Sequence, residues 1–579
     1  MSRLYQKMSF LLELFINGAF IFLYSFHSAE KYDKTLISTE LVEYVLNLFT
    51  YAAPVIVLIS AIAFFLKSEN EDEFLRKYIF SIICVVPMFI TWGNLQFAFW
   101  LAAVHLFSSI LSLYETTGEQ VRHKVKKIKK ASSLLERIKL APGQIVILSF
   151  VAIILVGTLL LSLPISAAEG KNISFIDAFF MATSATCVTG LSTVSVPENF
   201  SFIGQIILLV LIQIGGLGYM TLYSSMTILL GKSLAVRDQV MMQDLLDISS
   251  LEDLLQMIIN IVRYTLVIEL IGAVILSISF SLAGHEFGES LYMGIFHSVS
   301  AFCNAGFALF DNSLENFALN PFVHGTVSAL IFLGGLGFIV LKELEYLFLK
   351  GGKVINLTVH TKVVLVTNLT LIGLVAAYTF FGEFLHGLDQ YGLWEKVQIS
   401  VFQSITTRTA GFNTIAMSSL HPHTIYLMCL VMFIGASPGS TGGGIKTTTF
   451  AILFQSVKAT LKGRDKVDFF DRTVPNIIVV RAVAIIIISL MIVSSFILVM
   501  MKIEPEHDFL SVFFEVVSAF STVGLSLGIT PYLSVAGKLV LSLLMLVGRV
   551  GPLTLALAVG KNKKDDVSLK YPKGRIMIG

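Results

Sequence analysis

Long apolar stretches recur along most of the chain and are separated by shorter apolar segments. Residues 145–163, 206–230 and 477–500 are apolar over enough of their length to cross a bilayer as helices, which takes about 20 residues. The shorter segments offer only about ten residues each. The pattern therefore predicts an all-α, polytopic membrane protein in which some helices enter the membrane without crossing it.

A repeated unit follows residue 140. Four times the chain gives a long apolar helix, a short apolar helix, a turn of small residues and another long helix. The short helices are predicted at residues 176–186, 294–302, 397–406 and 511–520, and the turns recur about every 110 residues. Irregular backbone at membrane depth must be buried in protein or face a water-filled cavity. We therefore predict four units of helix, re-entrant pore helix, loop and helix around one axis with pseudo-fourfold symmetry, and simple hairpins between spans are the disfavoured alternative.

The chain before the repeats follows a different pattern. About four further spans are predicted there, at residues 8–26, 42–66, 78–92 and 95–113, and the last two count as one or two crossings. The first span lacks a clear cleavage site, so we expect it to be retained rather than removed as a signal sequence. The predicted parts are an N-terminal transmembrane extension (1–120), a basic cytoplasmic linker (121–140), pore repeats one to four (141–240, 241–355, 356–470 and 471–562) and a cytoplasmic C-terminal tail (563–579).

Composition and charge support a membrane protein and disfavour several other classes. Of the 579 residues, 55% are hydrophobic and 14% are charged, whereas a soluble protein carries about a quarter charged residues. The net charge of +2 favours no partner, and the basic stretch 121–139 is typical of a cytoplasmic loop near anionic lipid rather than of a nucleic-acid site. The four cysteines are isolated, and His421-Pro422-His423 begins a predicted helix without partners. The sequence contains no HExxH motif and no evident cluster of catalytic residues, so we do not expect an enzyme.

The four turns have the composition of a filter for a monovalent cation. Rings of backbone carbonyls replace the hydration shell of K⁺ in channels, and glycine allows the positive φ that such turns require. The short helices would direct their partially negative C-terminal ends at the ion, and the turns lack the acidic residues of a divalent-cation filter. We predict that K⁺ binds the backbone carbonyls of a filter formed by Val188, Thr189, Gly190, Asn304, Ala305, Gly306, Thr409, Ala410, Gly411, Thr522, Val523 and Gly524.

A polar segment, residues 434–449, interrupts the second long helix of repeat three. Its proline and glycines cannot sustain an ordinary helix, and its likeness to a phosphate-binding loop is superficial because no nucleotide-binding strand precedes it. Arg549 lies deep in the last apolar helix and must face a polar cavity, with capping of pore-helix carbonyls or pairing with a carboxylate as alternatives. The residues predicted to line this polar region, which the resemblance described below implies to be a gate, are Gly435, Ser437, Pro438, Gly439, Ser440, Thr441, Gly442, Gly443, Gly444, Lys446 and Arg549. An interfacial position is the alternative for Lys446.

Other ionisable residues lie close to the predicted filter. Arg408 in repeat three and Glu515 in the pore helix of repeat four are candidates for a pair that braces the filter. For these two, and for Asp177 and His297, we favour a structural role over ion coordination. For Glu269 the sequence is consistent with two roles, an intramembrane bracing contact or a part of a coupling route.

Six motifs resemble one family of transporters. VTGLS, NAGF, RTAGFNT and STVGLS, with QIGGLGYMT (213–221) and YPKGRIMIG (571–579), are similar to the Trk/Ktr/HKT superfamily of potassium transporters, and most of all to its KtrB-type subunits. The similarity covers residues 140–579. The resemblance implies that Gly190, Gly306, Gly411 and Gly524 are the filter glycines, and glycine rather than serine at position 190 favours potassium. It also implies that the loop of repeat three obstructs the pore, with Arg549 opposite it as a barrier to cations.

The same resemblance implies potassium uptake across the cell (inner) membrane through a gated pore. Sodium-coupled or sodium-selective transport by the same fold is the alternative. The membrane subunit of such systems is a homodimer that works with a ring of RCK/KTN-type nucleotide-binding domains (TrkA/KtrA-like). This chain carries no nucleotide-binding fingerprint, so we expect the regulator to be a separate protein. We expect no cofactor in the chain, no nucleic-acid partner, K⁺ as the transported ion and Na⁺ as the candidate coupling ion.

Overall fold

A computed structural model describes residues 142–229, 251–349, 355 and 357–552. The predicted N-terminal extension and basic linker lie outside the described residues, as does the predicted C-terminal tail. Side-chain placement is described for residues 144–218 except 145, and for most of 260–552.

Helices form most of the described structure. The first half contains α1 (Pro142–Leu161), α2 (Phe175–Cys187), α3 (Val196–Asn199), α4 (Phe202–Leu229), α5 (Leu251–Leu282), α6 (Phe287–Phe302), α7 (Pro321–Leu336) and α8 (Phe338–Leu349). The second half contains α9 (Val359–Gly382), α10 (Leu393–Thr406), α11 (Pro422–Phe433), α12 (Thr447–Leu461), α13 (Asn476–Ile503), α14 (Phe509–Ser521) and α15 (Val535–Val550). Short 3-10 helices lie at Pro164–Ser166, Glu315–Phe317, Met417–Ser419 and Thr530–Tyr532. One antiparallel hairpin, β1 (Val467–Phe469) and β2 (Arg472–Val474), joins α12 to α13.

Three described helices are long and apolar enough to cross a membrane. They are Asn260–Leu282 within α5, the whole of α9 and the whole of α13. The pair α7 and α8 passes the same test together, although the two helices are bent by 111° at Gly337. The stretches predicted at 145–163 and 477–500 correspond to α1 and α13, and the stretch at 206–230 corresponds to α4, which contains the non-helical Gly218.

Each of the four segments predicted as short helices is helical but begins earlier than predicted. The largest difference is in α6, which begins at Phe287 rather than at residue 294. Its first turn carries Glu289 and an exposed Gly288, so a search for apolar residues does not include it. Capping residues define other starts, because Ser174 accepts a hydrogen bond from the Asp177 N–H at 3.1 Å and satisfies a donor that the helix leaves free.

The four helices at the predicted pore-helix positions, α2, α6, α10 and α14, are called the shorter helices below and form the centre of the described structure. Each carries a fully buried phenylalanine nine or ten residues before the glycine of its turn: Phe180, Phe296, Phe402 and Phe514. The longer helices surround them and expose apolar side chains, as in α13, where Leu498 is 71% exposed while Ser489 is buried. A polar residue inside and leucine outside is the arrangement that a hydrocarbon environment favours.

Candidate functional site

Four turns that follow the shorter helices share an unusual backbone. The first residue of each turn has a positive φ, and so does the glycine two positions later. The φ values are 57° and 94° for Val188 and Gly190, 59° and 70° for Asn304 and Gly306, 69° and 78° for Thr409 and Gly411, and 52° and 92° for Thr522 and Gly524. Positive φ is rare for non-glycine residues and a genuine outlier for β-branched ones. Such backbone persists where the surroundings enforce it and clusters at ligand sites.

The four glycines bring the turns together in a closed ring. A Cβ atom on Gly306 would lie 2.8 Å from the carbonyl oxygen of Ala410, and one on Gly411 would lie 2.5 Å from that of Val523. A Cβ on Gly190 would overlap the Ala305 carbonyl, and one on Gly524 would overlap the Thr189 carbonyl, which closes the ring. Every glycine therefore lies against the carbonyl of the middle residue in a neighbouring turn, at a distance that excludes any side chain.

Hydroxyl groups of the shorter helices hold these turns. The Ser184 Oγ accepts from the Gly190 N–H at 3.0 Å, and the Ser518 Oγ accepts from the Gly524 N–H at 3.1 Å. In the other two repeats the hydroxyl donates instead. Ser300 donates to the Phe307 carbonyl at 2.7 Å, and Thr406 donates to the Phe412 carbonyl at 2.5 Å. Four further buried hydroxyls near turns one and four have no hydrogen-bond partner among the described residues: Thr186, Thr189, Ser521 and Thr522.

A cavity of about 250 Å³ touches all four turn glycines. Residues that follow each turn line this cavity, so the cavity lies on one side of the ring and is here called the mouth. Asp311 borders this cavity and accepts a hydrogen bond from Ser195. Nearby, Glu315 accepts from the Asn413 amide at 2.7 Å, and burial raises the pKa of the Glu315 carboxyl. Carboxylates at such a mouth attract cations.

The helices that follow turns one, two and four are interrupted or end at corresponding places. Gly218, Gly337 and Gly551 have φ values of 30°, 97° and 88° at the breaks. Three residues before each of them, a glycine packs on the end of the short helix of its own repeat: Gly215 on the Thr186 carbonyl, Gly334 on the Phe302 carbonyl and Gly548 on the Phe520 carbonyl. The sequence carries a signal that our prediction missed, since GGLG, GGLG and GRVG recur at 215–218, 334–337 and 548–551.

In repeat three the corresponding break is a loop of irregular backbone between α11 and α12, here called the 434–446 loop. Its backbone is hydrogen-bonded to the α7–α8 break. The Ser437 N–H donates to the Gly335 carbonyl at 3.1 Å, the Thr441 N–H to the Gly334 carbonyl at 3.2 Å, and the Phe338 N–H to the Gly439 carbonyl at 3.0 Å.

Side chains of Asn368 and Ser440 and a close backbone contact at Pro438 also hold the 434–446 loop in place. The Asn368 amide donates to the Ser437 hydroxyl at 3.1 Å, and Ser440 donates to the Ser437 carbonyl at 2.6 Å. A Cβ on Gly337 would lie 2.5 Å from the Pro438 carbonyl. The backbone of the loop is therefore anchored to repeat two, and the Ser437 side chain anchors it to α9 of repeat three.

The 434–446 loop lies directly against turns three and four. A Cβ on Gly442 would overlap the Thr409 hydroxyl, and one on Gly443 would overlap the Thr522 hydroxyl. Thr409 and Thr522 are the first residues of their turns, whereas the cavity touches the turns at their glycines. The loop and the cavity thus contact opposite ends of the turns.

Three cationic side chains donate to backbone carbonyls in this region. Arg549 donates to the Thr441 and Gly215 carbonyls. Lys446 donates to the Gly442 carbonyl at 2.8 Å, so its ammonium points into the loop rather than to an interface. Arg408 donates to the Gly435 carbonyl at 3.4 Å. Arg549 thus contacts carbonyls of the loop and of α4, and neither alternative considered for it, a pore-helix cap or a carboxylate pair, describes these contacts.

Arg408 and Glu515, the candidates for a pair that braces the filter, have other partners in the structure. Glu515 accepts a hydrogen bond from Thr530 in its own repeat, while the Arg408 guanidinium is directed to the loop. Both side chains are buried close to the turns, but adjacency in the repeat pattern did not reveal the direction in which each one points.

The other flanking residues make structural contacts. Asp177 accepts from Lys538 at 2.7 Å, which links the first short helix to α15. His297 contacts the Met293 carbonyl through Nδ1 at 2.8 Å and accepts from the Leu309 N–H at 3.3 Å. Glu269 accepts from the Gln213 amide at 3.2 Å, and its backbone carbonyl accepts from Ser298 at 2.6 Å.

Comparison with known proteins identifies similar chains. Residues 121–571 match the TrkH family, described as cation transport protein. The chain is 35% identical over 448 residues to Ktr system potassium uptake protein B of Bacillus subtilis, covering 77% of this chain and 98% of that protein. It is 37% identical over 450 residues to potassium/sodium uptake protein NtpJ of Enterococcus hirae, covering 76% and 98%.

A solved structure shares the fold. The crystal structure of the potassium transporter TrkH from Vibrio parahaemolyticus aligns with a TM-score of 0.59 and 19% identity, over 84% of this chain and 97% of that chain. The family match begins at residue 121, so the predicted extension at residues 1–120 lies outside it.

Proposed function

The chain belongs to the TrkH family of cation transport proteins, and on that premise we propose that it forms a pore for potassium uptake. The family consists of membrane transporters rather than enzymes. Two of the similar proteins carry potassium in their names, Ktr system potassium uptake protein B and NtpJ. The observation that carries the proposal is the closed ring of four turns, in which each glycine lies against a neighbouring carbonyl.

The twelve predicted filter residues fit a cation path through this ring. The turns bring backbone carbonyls of four repeats to one place, and carbonyl rings can replace the water around K⁺. The hydroxyls of Thr189 and Thr522 have no hydrogen-bond partner among the described residues, and we assign them as further oxygen atoms for a cation once the loop has left Thr522. Carboxylates at the mouth, such as Asp311, would raise the local concentration of cations there. We assign the four repeats pseudo-fourfold symmetry around this path.

The 434–446 loop is the proposed gate. It contacts the first residues of turns three and four, at the end of the ring opposite to the cavity. A loop in that position blocks a path along the ring axis, and the contacts of Arg549 with Thr441 and Gly215 hold it there. Opening then requires the loop to leave Arg549 and the Thr409 and Thr522 hydroxyls.

The proposal extends to the surroundings of the pore. We place the protein in the cell (inner) membrane with multiple crossings, as a homodimer that works with a separate nucleotide-binding regulatory protein. Residues 1–120 are assigned to a further transmembrane unit and residues 563–579 to a cytoplasmic tail, with the pore repeats between residues 141 and 562. Each of these assignments rests on the sequence pattern and on the family.

A second candidate is transport of sodium with, or instead of, potassium. The name of NtpJ includes both ions, and that protein is 37% identical to this chain. The four single-glycine turns lack the longer carbonyl column of potassium channels, so discrimination between the two ions rests on fewer oxygen atoms.

Ion flux into liposomes separates the two candidates. The purified full chain should pass K⁺ and Rb⁺ far faster than Na⁺, and a sodium gradient should leave the Rb⁺ flux unchanged. Equal flux of the three ions would contradict a potassium-selective filter, and Rb⁺ flux that requires Na⁺ would favour the second candidate. Protein-free liposomes provide the background.

A further inference from the structure

A cluster of potential metal ligands lies outside the pore, where α9 ends and α11 begins. The Glu383 carboxylate, the His386 imidazole and the His421 imidazole each offer one ligand atom, and these atoms all lie within 4.8 Å of one another. The sequence predicted no partner for His421. The structure corrects this, because His386 approaches it from the loop between α9 and α10. Neither the filter nor the gate uses these three residues.

Glu383 also has a structural role. A glutamate in repeat four has the same role but lacks the neighbouring histidine pair among the described residues. The Glu383 carboxylate accepts a hydrogen bond from the backbone N–H of His421 at 2.9 Å and so ties the end of α9 to the start of α11. In repeat four, Glu504 accepts from the Ser534 N–H at 2.9 Å and ties α13 to α15 in the same way. Both glutamates are followed three residues later by histidine, His386 and His507. The bracing role therefore explains the glutamate, but it does not require a histidine at position 421.

The histidines of repeat three are arranged around the carboxylate. The rings of His386 and His421 are stacked with centroids 3.8 Å apart, and His386 Nδ1 lies 3.5 Å from the carboxylate of Glu383. The ring of His423 stacks on the ring of His421 with centroids 5.1 Å apart, but its Nδ1 is directed to the Tyr378 hydroxyl at 3.3 Å. Two imidazoles and a buried carboxylate within reach of one another are the ligand set of many zinc sites.

The local charges are compatible with a divalent cation. Glu383 is fully buried, whereas the His386 side chain is 52% exposed and can rotate towards a bound ion. Lys396 of α10 donates to the Phe384 carbonyl at 2.6 Å and lies over the Phe384 ring. Its ammonium is therefore committed to Phe384 and does not form an ion pair with Glu383 among the described residues.

We propose that Glu383, His386 and His421 form a site for a divalent first-row transition metal such as Zn²⁺. Zinc takes nitrogen and oxygen ligands at about 2.0–2.2 Å, so the ligand atoms close in from their present separations mainly by rotation of the exposed His386. The bound metal links the end of α9 to the start of α11, on the face of the protein where the turns open to the cavity. A fourth position stays open to water, as in three-ligand zinc sites.

Metal binding to the purified full chain, with any histidine tag removed, tests the proposal. Titration calorimetry with Zn²⁺ and visible absorption with Co²⁺ report affinity and ligand geometry, and the thermal unfolding temperature reports stabilisation by the bound metal. The key variant is His421→Ser, which copies Ser534 and retains both a good helix N-cap and the backbone donor to Glu383. His386→Asn is the second variant, and His507→Asn in repeat four is the matched control.

The expected result is that wild type and His507→Asn bind one Zn²⁺ and gain thermal stability. His421→Ser and His386→Asn should each lose affinity by about tenfold or more and show no tetrahedral Co²⁺ spectrum, while their unfolding temperatures without metal stay close to wild type. Unchanged affinity in the double variant His386→Asn/His421→Ser would overturn the proposal, as would an equal loss in His507→Asn. Since binding is measured without ion flux, either result is independent of the proposed pore.

Discussion

Arg549 of α15 donates a hydrogen bond to the carbonyl oxygen of Thr441, so a residue of repeat four holds the loop of repeat three. The second terminal nitrogen of the same guanidinium donates to the Gly215 carbonyl in α4 of repeat one. Gly218 leaves room for this side chain, because a Cβ there would lie 2.9 Å from the guanidinium. One side chain thereby joins three of the four repeats beneath the turns.

Replacing Arg549 by alanine should raise the basal flux of Rb⁺ into liposomes. The change removes the hydrogen bonds to the Thr441 carbonyl of the loop and the Gly215 carbonyl of α4, and it removes a positive charge from the proposed ion path. Arg549→Lys retains the charge but cannot reach both carbonyls, so it should give an intermediate flux. Arg481→Ala on the exposed side of α13 is the control. A flux at or below wild type in folded Arg549→Ala protein would contradict the gate.

A methyl group on Gly443 should displace the loop from turn four. The added Cβ would overlap the Thr522 hydroxyl, so the loop or the turn must move. We expect a higher basal Rb⁺ flux, measured in liposomes as for Arg549. Gly373→Ala in α9, where a Cβ would meet nothing within 4 Å, is the matched control. A variant with wild-type flux and an unchanged unfolding temperature would place the loop away from turn four.

Gly190→Ser should weaken the discrimination between K⁺ and Na⁺. The serine side chain would overlap the Ala305 carbonyl, and a φ of 94° is strained for any residue with a Cβ. The resulting shift of two adjacent turns enlarges or distorts the carbonyl ring. The ratio of Rb⁺ to Na⁺ flux measures the effect, and Gly325→Ala in α7 is the control because a Cβ there is unobstructed. An unchanged ratio would remove Gly190 from the filter.

The ion pair of Asp177 and Lys538 should stabilise the contact between the first and last repeats. Its atoms are 2.7 Å apart, and the two side chains are only 17% and 14% exposed. Asp177→Asn and Lys538→Met should each lower the free energy of unfolding by about 1–3 kcal/mol, the cost of losing a charged hydrogen bond. Thermal unfolding in detergent is the measurement, and the double variant should lose less than the sum of the single ones. Strict additivity would show that the two residues act independently.

The sequence revealed those parts of the site that depend on local backbone chemistry. Glycine in each turn, and proline with glycine in the 434–446 loop, mark irregular backbone wherever they occur, so both segments were found before the structure. Contacts between distant segments left no such mark. Hydrogen bonds such as that from the Phe338 N–H to the Gly439 carbonyl join backbone atoms that every residue has.

Side-chain direction was the other feature beyond the reach of the pattern. Arg408 directly precedes turn three and Glu515 lies in α14 before turn four, and they carry opposite charges, yet one points to the loop and the other to Thr530. The approach of His386 to His421 likewise depends on how the loop after α9 folds back. The GGLG and GRVG motifs were visible in the sequence, but their meaning required the packing of Gly215 on the Thr186 carbonyl.

The bend of 111° between α7 and α8 has a mechanical consequence. The first N–H of α8, that of Phe338, donates to the Gly439 carbonyl at 3.0 Å, so the start of α8 is fastened to the proposed gate. Any load that tilts this helix pulls on the 434–446 loop or breaks that bond. If the 434–446 loop is the gate that we propose, a force applied at the far end of α8, near Leu349, would reach it through this bond without first moving the turns.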